Sequence, residues 1–163
     1  FGAVVYKPNH PLCEICPLSA HCVAFKKELI PLLPVKSKQL VVKKRQFHYL
    51  VLRHGKQWYI QERQEKDIWQ HLFEFYLIET EDDVRESTAW KTLERATLQR
   101  PEKIFEHRQK LTHQLIQSTF YLLNLCHKPA FLKNSGLWVD GDEIKNFAFP
   151  QTIISFFKQN IYF

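Results

Sequence analysis

Residues 47–52, Phe-His-Tyr-Leu-Val-Leu, constrain the fold more than any other stretch of the chain. The run is apolar on both faces of an extended backbone, as in a central strand covered on both sides. Such a strand needs a layer of structure above it and another below. Next come His54-Gly55-Lys56, which reads as a turn, and Gln57-Trp58-Tyr59-Ile60-Gln61, the returning strand. Residues 46–63 therefore read as a hairpin.

Further strands are expected over Leu72–Ile78, near Lys103–Glu106, over Lys110–Leu125 with a possible bend, and at Trp138-Val139. Ser87 is suited to cap a helix running to Leu98, with Trp90, Leu93 and Ala96 or Thr97 on one face. Pro150 is suited to open a final helix whose buried stripe is Ile153, Ile154 and Phe157. Strands dominate, with one helix between them and one at the end. The expected class is α+β, a mixed sheet sandwiched by helices and preceded by a short helical cysteine segment. Three regions follow: 1–29, 30–45 as a connector, and 46–163. Pro31 and Pro34 argue for an extended connector. A short helix is expected over Ala20–Leu29.

Thirteen phenylalanines supply ample core material, so disorder is not expected. No apolar run is long enough to span a membrane, and residues 1–11 lack the apolar stretch of an export signal. The chain has no Met and reads as starting inside a longer protein, although trimming would look the same. Its net charge of +6 is concentrated in residues 1–45. Lys7, Lys26, Lys27, Lys36, Lys38, Lys43, Lys44 and Arg45 stand there against Glu14 and Glu28 alone, while the remainder balances. That local excess suits a polyanion such as DNA, or a merely solvated surface.

Cys13, Cys16 and Cys22 form C-x2-C-x5-C. Thiolates this close in sequence can converge on iron–sulfur or zinc, and His10 or His21 could complete a zinc set; three idle thiols are the alternative.

The string Phe1-Gly2-Ala3 followed by Cys13, Cys16-Pro17-Leu18 and Cys22 resembles the end of the [4Fe–4S] loop of helix-hairpin-helix DNA glycosylases. The family spacing is C-x6-C-x2-C-x5-C, which places Tyr6 at the first ligand position and leaves Cys13, Cys16 and Cys22 as the metal ligands. Further on, Ile68-Trp69-Gln-His-Leu72-Phe-Glu74-Phe75 resembles the [LI]-W-x2-L-x-E-F segment of MutY-type adenine DNA glycosylases. Leu111-Thr112-His113 resembles that family's [FL]-[ST]-H motif, with His107 ahead of it, and Trp138 with Phe149-Pro150 resembles its ending.

This resemblance implies a C-terminal domain related to the Nudix fold of MutT, which recognises 8-oxoguanine opposite the adenine to be removed. It implies that Leu111, Thr112 and His113 contact the lesion, and that Lys7, Lys26, Lys27, Lys43 and Lys44 contact the DNA backbone. A hydroxyl both donates and accepts, so Thr112 can test the C8 carbonyl and N7 proton that distinguish 8-oxoguanine. The alternative is that Thr112 and His113 are ordinary sheet residues.

The family's catalytic Asp and Glu lie upstream of the cysteine loop, so this chain by itself is expected to be inactive as a glycosylase. Nucleotide hydrolysis is not expected either: Asp82–Arg95 contains Arg85-Glu86 but lacks the later Glu pair and the glycines of a Nudix box. The implied partner is duplex DNA holding 8-oxoguanine opposite adenine, with protein partners through the connector. The implied state is a monomer in a bacterial cytoplasm. Two other readings stay open: a standalone Nudix-type enzyme acting on nucleotides, and a protein-interaction domain.

Overall fold

The computed structural model describes residues 4–7, 10–33 and 42–159. Two compact units appear, 1–41 and 42–163. No helix is long and apolar enough to cross a membrane among the described residues.

Among the described residues the larger unit forms a seven-stranded mixed sheet. Its strands are β1 (Lys43–His54), β2 (Gln57–Glu62), β3 (Phe73–Glu74), β4 (Tyr76–Glu79), β5 (Glu102–Lys110), β6 (Gln114–Asn124) and β7 (Leu137–Asp140). Along the main path the order is β3-β2-β1-β6-β5, with β4 pairing to β1 and β7 to β2. β1 and β6 run parallel from Lys43↔Gln114 to Arg53↔Asn124, the longest ladder in the unit. The hairpin turns at Gly55, whose φ of 62° is a left-handed conformation that glycine adopts without strain. At Gly136 a Cβ would collide with the Ile60 carbonyl oxygen, so glycine lets the chain approach β2 closely.

Alternation along β1 divides its side chains between two cores, as the two-faced run requires. Phe47, Tyr49 and Val51 join Phe120, Phe149, Ile153 and Phe156 on one face. Leu50 and Leu52 join Trp90, Leu93, Tyr121 and Leu123 on the other. Helix α3 (Gln151–Gln159) covers the first face, where Phe156 stacks on Phe120 with centroids 4.7 Å apart. Helix α2 (Thr88–Glu94) covers the second, capped by Ser87 Oγ accepting from Trp90 N–H. The expected class, a mixed sheet between helices, is what forms.

Several boundaries differ from expectation. β1 starts at Lys43, inside the stretch assigned to the connector. The strand expected over Leu72–Ile78 is two, either side of buried Phe75. α2 stops at Glu94, after which Ala96 N–H bonds Leu93 and the chain turns back to pair Thr97 with Leu125. In α3 the buried residues are Thr152, Ile153 and Phe156, because Phe156 faces the aromatic core; Ile154 and Phe157 pack at its edge. Pro150 precedes the first helical residue, and its carbonyl accepts from Ile153 and Ile154 N–H.

In the smaller unit, helix α1 (Val23–Lys26) is a single turn, with 3-10 turns at Ser19–His21 and Ile30–Leu32. The expected helix over Ala20–Leu29 is thus broken; Glu28 has a φ of 54°. Ile30–Leu32 is not extended, since proline is tolerated in the first turn of a helix, where its missing N–H is not needed. Residues 34–41 of the expected connector lie outside the described residues.

Candidate nucleic-acid interface

β5 and β6 form an antiparallel hairpin whose last pair is Lys110↔Leu115. Leu111 N–H donates to the Gln114 carbonyl at 2.7 Å, closing a tight turn over Leu111–Gln114. The continuous strand expected from Lys110 is therefore interrupted at the LTH motif, and Thr112 and His113 are not sheet residues. Both are exposed at the tip. Leu111 is half-buried against the α3-side core, so it anchors the turn while its two neighbours project.

The start of β1 lies alongside this turn. Lys43 N–H donates to the His113 carbonyl at 2.9 Å. Lys43 pairs with Gln114 and Lys44 with Leu115. Paired residues on adjacent strands share a face, so two rows cross the sheet next to the turn. One is Lys44–Leu115–Lys110, and the next is Gln46–Gln117–Arg108. Lys44, Lys110, Arg108 and Gln117 are exposed, and none of the three cations forms an ion pair among the described residues. Arg108 and Lys110 did not stand out in the sequence. They are three and one residues ahead of the LTH motif, but only strand register shows that they share a face with Lys44.

Arg45, by contrast, is buried. Its Nε and Nη2 bond both Glu79 carboxylate oxygens at 2.6 Å, and its Nη1 reaches Asp67 Oδ2 at 2.6 Å. Asp67 also faces Arg63, whose Nη1 pairs with Glu74 Oε2 at 2.6 Å. Both guanidinium groups lie over the Phe47 ring. Burial raises the Glu74 carboxyl above the usual range, opposed by the bond from Arg63. Asp67 is held below its ordinary value: burial raises it, but the Ile68 N–H and Arg45 outweigh that. The W-x2-L-x-E-F segment thus carries a structural clasp. Trp69 and His71 take left-handed backbone (φ 64° each) to turn it, and Trp69 packs edge-on against Phe47 at 6.0 Å. His107 is likewise structural, with its Nδ1 3.2 Å from Thr152 Oγ1.

In the smaller unit Lys7, Lys26 and Lys27 are exposed. The Val5 carbonyl oxygen accepts from Lys7 and Leu12 N–H. Cys13, Cys16, Cys22 and Tyr6 all line one cavity of about 130 Å³, whose other walls include Leu12, Phe25 and Leu33. All three thiols are free. Burial, then the Cys22 and Cys16 sulfurs, raises the Cys13 thiol above its ordinary value. Among the described residues no three His, Cys, Asp or Glu side chains gather closely enough to hold a single metal ion. In the segment compared above with a Nudix box, Glu86 pairs with Lys91 and Glu94 is exposed.

Residues 48–159 match the sequence profile of the NUDIX domain. Over 96% of its length the chain is 25% identical to an adenine DNA glycosylase of Buchnera aphidicola subsp. Schizaphis graminum, covering 46% of that protein. Over 99% of its length it is 22% identical to an adenine DNA glycosylase of Buchnera aphidicola subsp. Acyrthosiphon pisum, covering 47% of it. The chain spans about half the length of these curated relatives. In three dimensions it is similar to the C-terminal domain of mouse MUTYH, solved in complex with human PCNA. There the TM-score is 0.56 and the identity 17%, over 70% of this chain and 85% of that one. It is also similar to a MutT protein from Methanosarcina mazei Go1, with a TM-score of 0.55 and 16% identity over 74% of this chain and 95% of that one. The matched segment takes in most of the sheet, α2 and α3, and the chain belongs to the NUDIX domain family.

Proposed function

We propose that this chain is the DNA-binding, 8-oxoguanine-recognising portion of an adenine DNA glycosylase that removes adenine mispaired with 8-oxoguanine. The observation that carries the reading is the exposed Thr112-His113 turn, joined to the start of β1 by the Lys43–His113 hydrogen bond and flanked by the unpaired cations Lys44, Arg108 and Lys110. Its resemblance to glycosylases along nearly its whole length supports the same assignment. In this reading the turn reads the base edge while the cations neutralise phosphates, a division common to DNA-binding proteins. Thr112 supplies a hydroxyl that can both donate and accept, His113 flanks it, and Leu111 holds the turn to the core. Lys43, Lys44, Lys7, Lys26 and Lys27 contact the DNA backbone. Base excision belongs to the longer protein, and this chain alone is inactive as a glycosylase. A [4Fe–4S] centre at the cysteine loop is the cofactor that the resemblance implies, and Tyr6 at the first ligand position argues against an intact one in this chain.

Salt dependence of duplex binding tests the surface. The Lys44→Gln/Arg108→Gln/Lys110→Gln variant lowers the slope of log affinity against log salt by about 0.9 for each phosphate that is no longer neutralised. An unchanged slope in a folded variant rules this face out as the DNA-binding surface.

A further inference from the structure

The W-x2-L-x-E-F segment and the LTH turn are far apart in the sequence, yet one buried guanidinium touches the edge of each. Arg45 Nη1 donates to Asp67 Oδ2 at 2.6 Å and to Gln114 Oε1 at 3.2 Å. Asp67 stands immediately ahead of Ile68-Trp69. Gln114 closes the turn, since its carbonyl accepts from Leu111 N–H. Among the described residues, this is the one side-chain hydrogen bond made by residues 111–114. The exposed Thr112 and His113 are thus held by backbone bonds at Leu111 and Lys43, and by a side-chain bond that leads into the clasp.

An arginine is needed at this junction. Its planar fork offers Nε and Nη2 along one edge, which both oxygens of Glu79 occupy. The Phe47 ring lies against the guanidinium, 4.7 Å from it. With the plane fixed, the two N–H groups of Nη1 have set directions, one for Asp67 and one for Gln114. Asp67 is itself tied to the Ile68 N–H and to Arg63. Beyond it, Trp69 and His71 hold left-handed backbone, which persists only where surrounding contacts enforce it. Gln114 is therefore anchored to a rigid group and not to a mobile surface side chain. A turn that discriminates by hydrogen bonds has to be held to within about 0.5 Å, and contacts of this supporting kind supply that precision.

Resting on the reading of this turn as the part that contacts the lesion, we propose that Arg45 is a positioning residue for lesion discrimination. Through Gln114 it holds the Leu111–Gln114 turn in the shape that reads 8-oxoguanine, and it touches no DNA itself. The test uses the full chain, read by urea unfolding, by amide hydrogen exchange at Leu111 and Lys43, and by competition between 8-oxoguanine and guanine duplexes. Gln114→Met removes the acceptor and leaves the pairs of Arg45 with Glu79 and Asp67 in place. It is expected to keep the wild-type unfolding midpoint, to exchange the two amides about tenfold faster and to lower the lesion preference about fivefold, as for one hydrogen bond to a charged group. Gln114→Glu keeps an acceptor for Nη1, so it should retain slow exchange and the preference, while its charge weakens binding to both duplexes alike. Arg45→Lys keeps the charge without the fork and should lose the preference as Gln114→Met does. Unchanged exchange and preference in Gln114→Met overturn the proposal alone, leaving the lesion reading intact. Loss of preference in Gln114→Glu as complete as in Gln114→Met also overturns it, because the amide of Gln114 would then be the contact with DNA. A wild type without any preference overturns the lesion reading and this inference together.

Discussion

The two units solve the same problem in different ways. In residues 42–163 a long parallel ladder between β1 and β6 separates two apolar layers, each covered by a helix. Tyr49, Phe120 and Phe156 are fully buried and stacked on one another. In residues 1–41 the helical turns bury nothing, and large apolar side chains face outward. The sheet unit can therefore be held by its own core, whereas the described residues of the cysteine unit place three thiols around a small cavity. In the sheet unit the hairpin and the Lys43–His113 bond also fix where the exposed Thr112 projects.

The largest expected effect comes from matched truncations in the two units. Phe120→Ala should cost the sheet unit roughly 3–5 kcal/mol in urea unfolding, as for other buried phenylalanines. Ile15→Ala should change the cysteine unit by less than about 0.5 kcal/mol, since the side chain is 71% exposed. Equal losses would erase the contrast.

Next in size is the buried clasp. Arg63→Ala leaves Glu74 buried without its partner and should cost about 3 kcal/mol, whereas the double change Arg63→Met/Glu74→Leu should recover most of it. If the double variant is as unstable as the single one, charge pairing is not what Arg63 contributes. A smaller effect is expected at the helix cap. Ser87→Ala removes the acceptor for Trp90 N–H and should cost about 1 kcal/mol by the same unfolding measurement.

Acidity offers a further check confined to the sheet unit. His48 is 8% exposed in β1, and burial lowers its basicity, opposed by the Thr80 backbone and Asp83. A lowered value means that the unfolded chain binds the proton more readily. The stability tied to a neutral His48 is therefore complete above pH 6.5 and declines as the pH falls through it. The urea midpoint should drop between pH 7.5 and pH 5.5, and His48→Gln should flatten that drop.

What could be read from the sequence was what local chemistry decides. The two-faced run of β1, the Gly55 turn and the Ser87 cap each follow from residue type and spacing. The LTH turn did not, because Lys110-Leu-Thr-His-Gln114 contains no Gly, Pro or Asn and reads as continuing strand. Its break depends on where β5 and β6 pair. Ile30–Leu32 departs from expectation because a proline that stops a helix in its interior is harmless at its start. Arg108 and Lys110 were hidden for another reason: a surface that crosses three strands has no contiguous signature. Arg45, counted with the basic excess, proved to be a buried clasp residue, since a one-residue step along β1 moves a side chain to the other face.

The central question is whether the Leu111–Gln114 turn reads the lesion. Competition binding should compare duplexes that differ only in 8-oxoguanine or guanine opposite adenine, using the wild-type chain and Thr112→Ala. Wild type should prefer the lesion, and Thr112→Ala should reduce that preference by roughly the 1–3 kcal/mol of one base contact while leaving affinity for the guanine duplex nearly unchanged. Equal competition by the two duplexes, before and after the substitution, would contradict it.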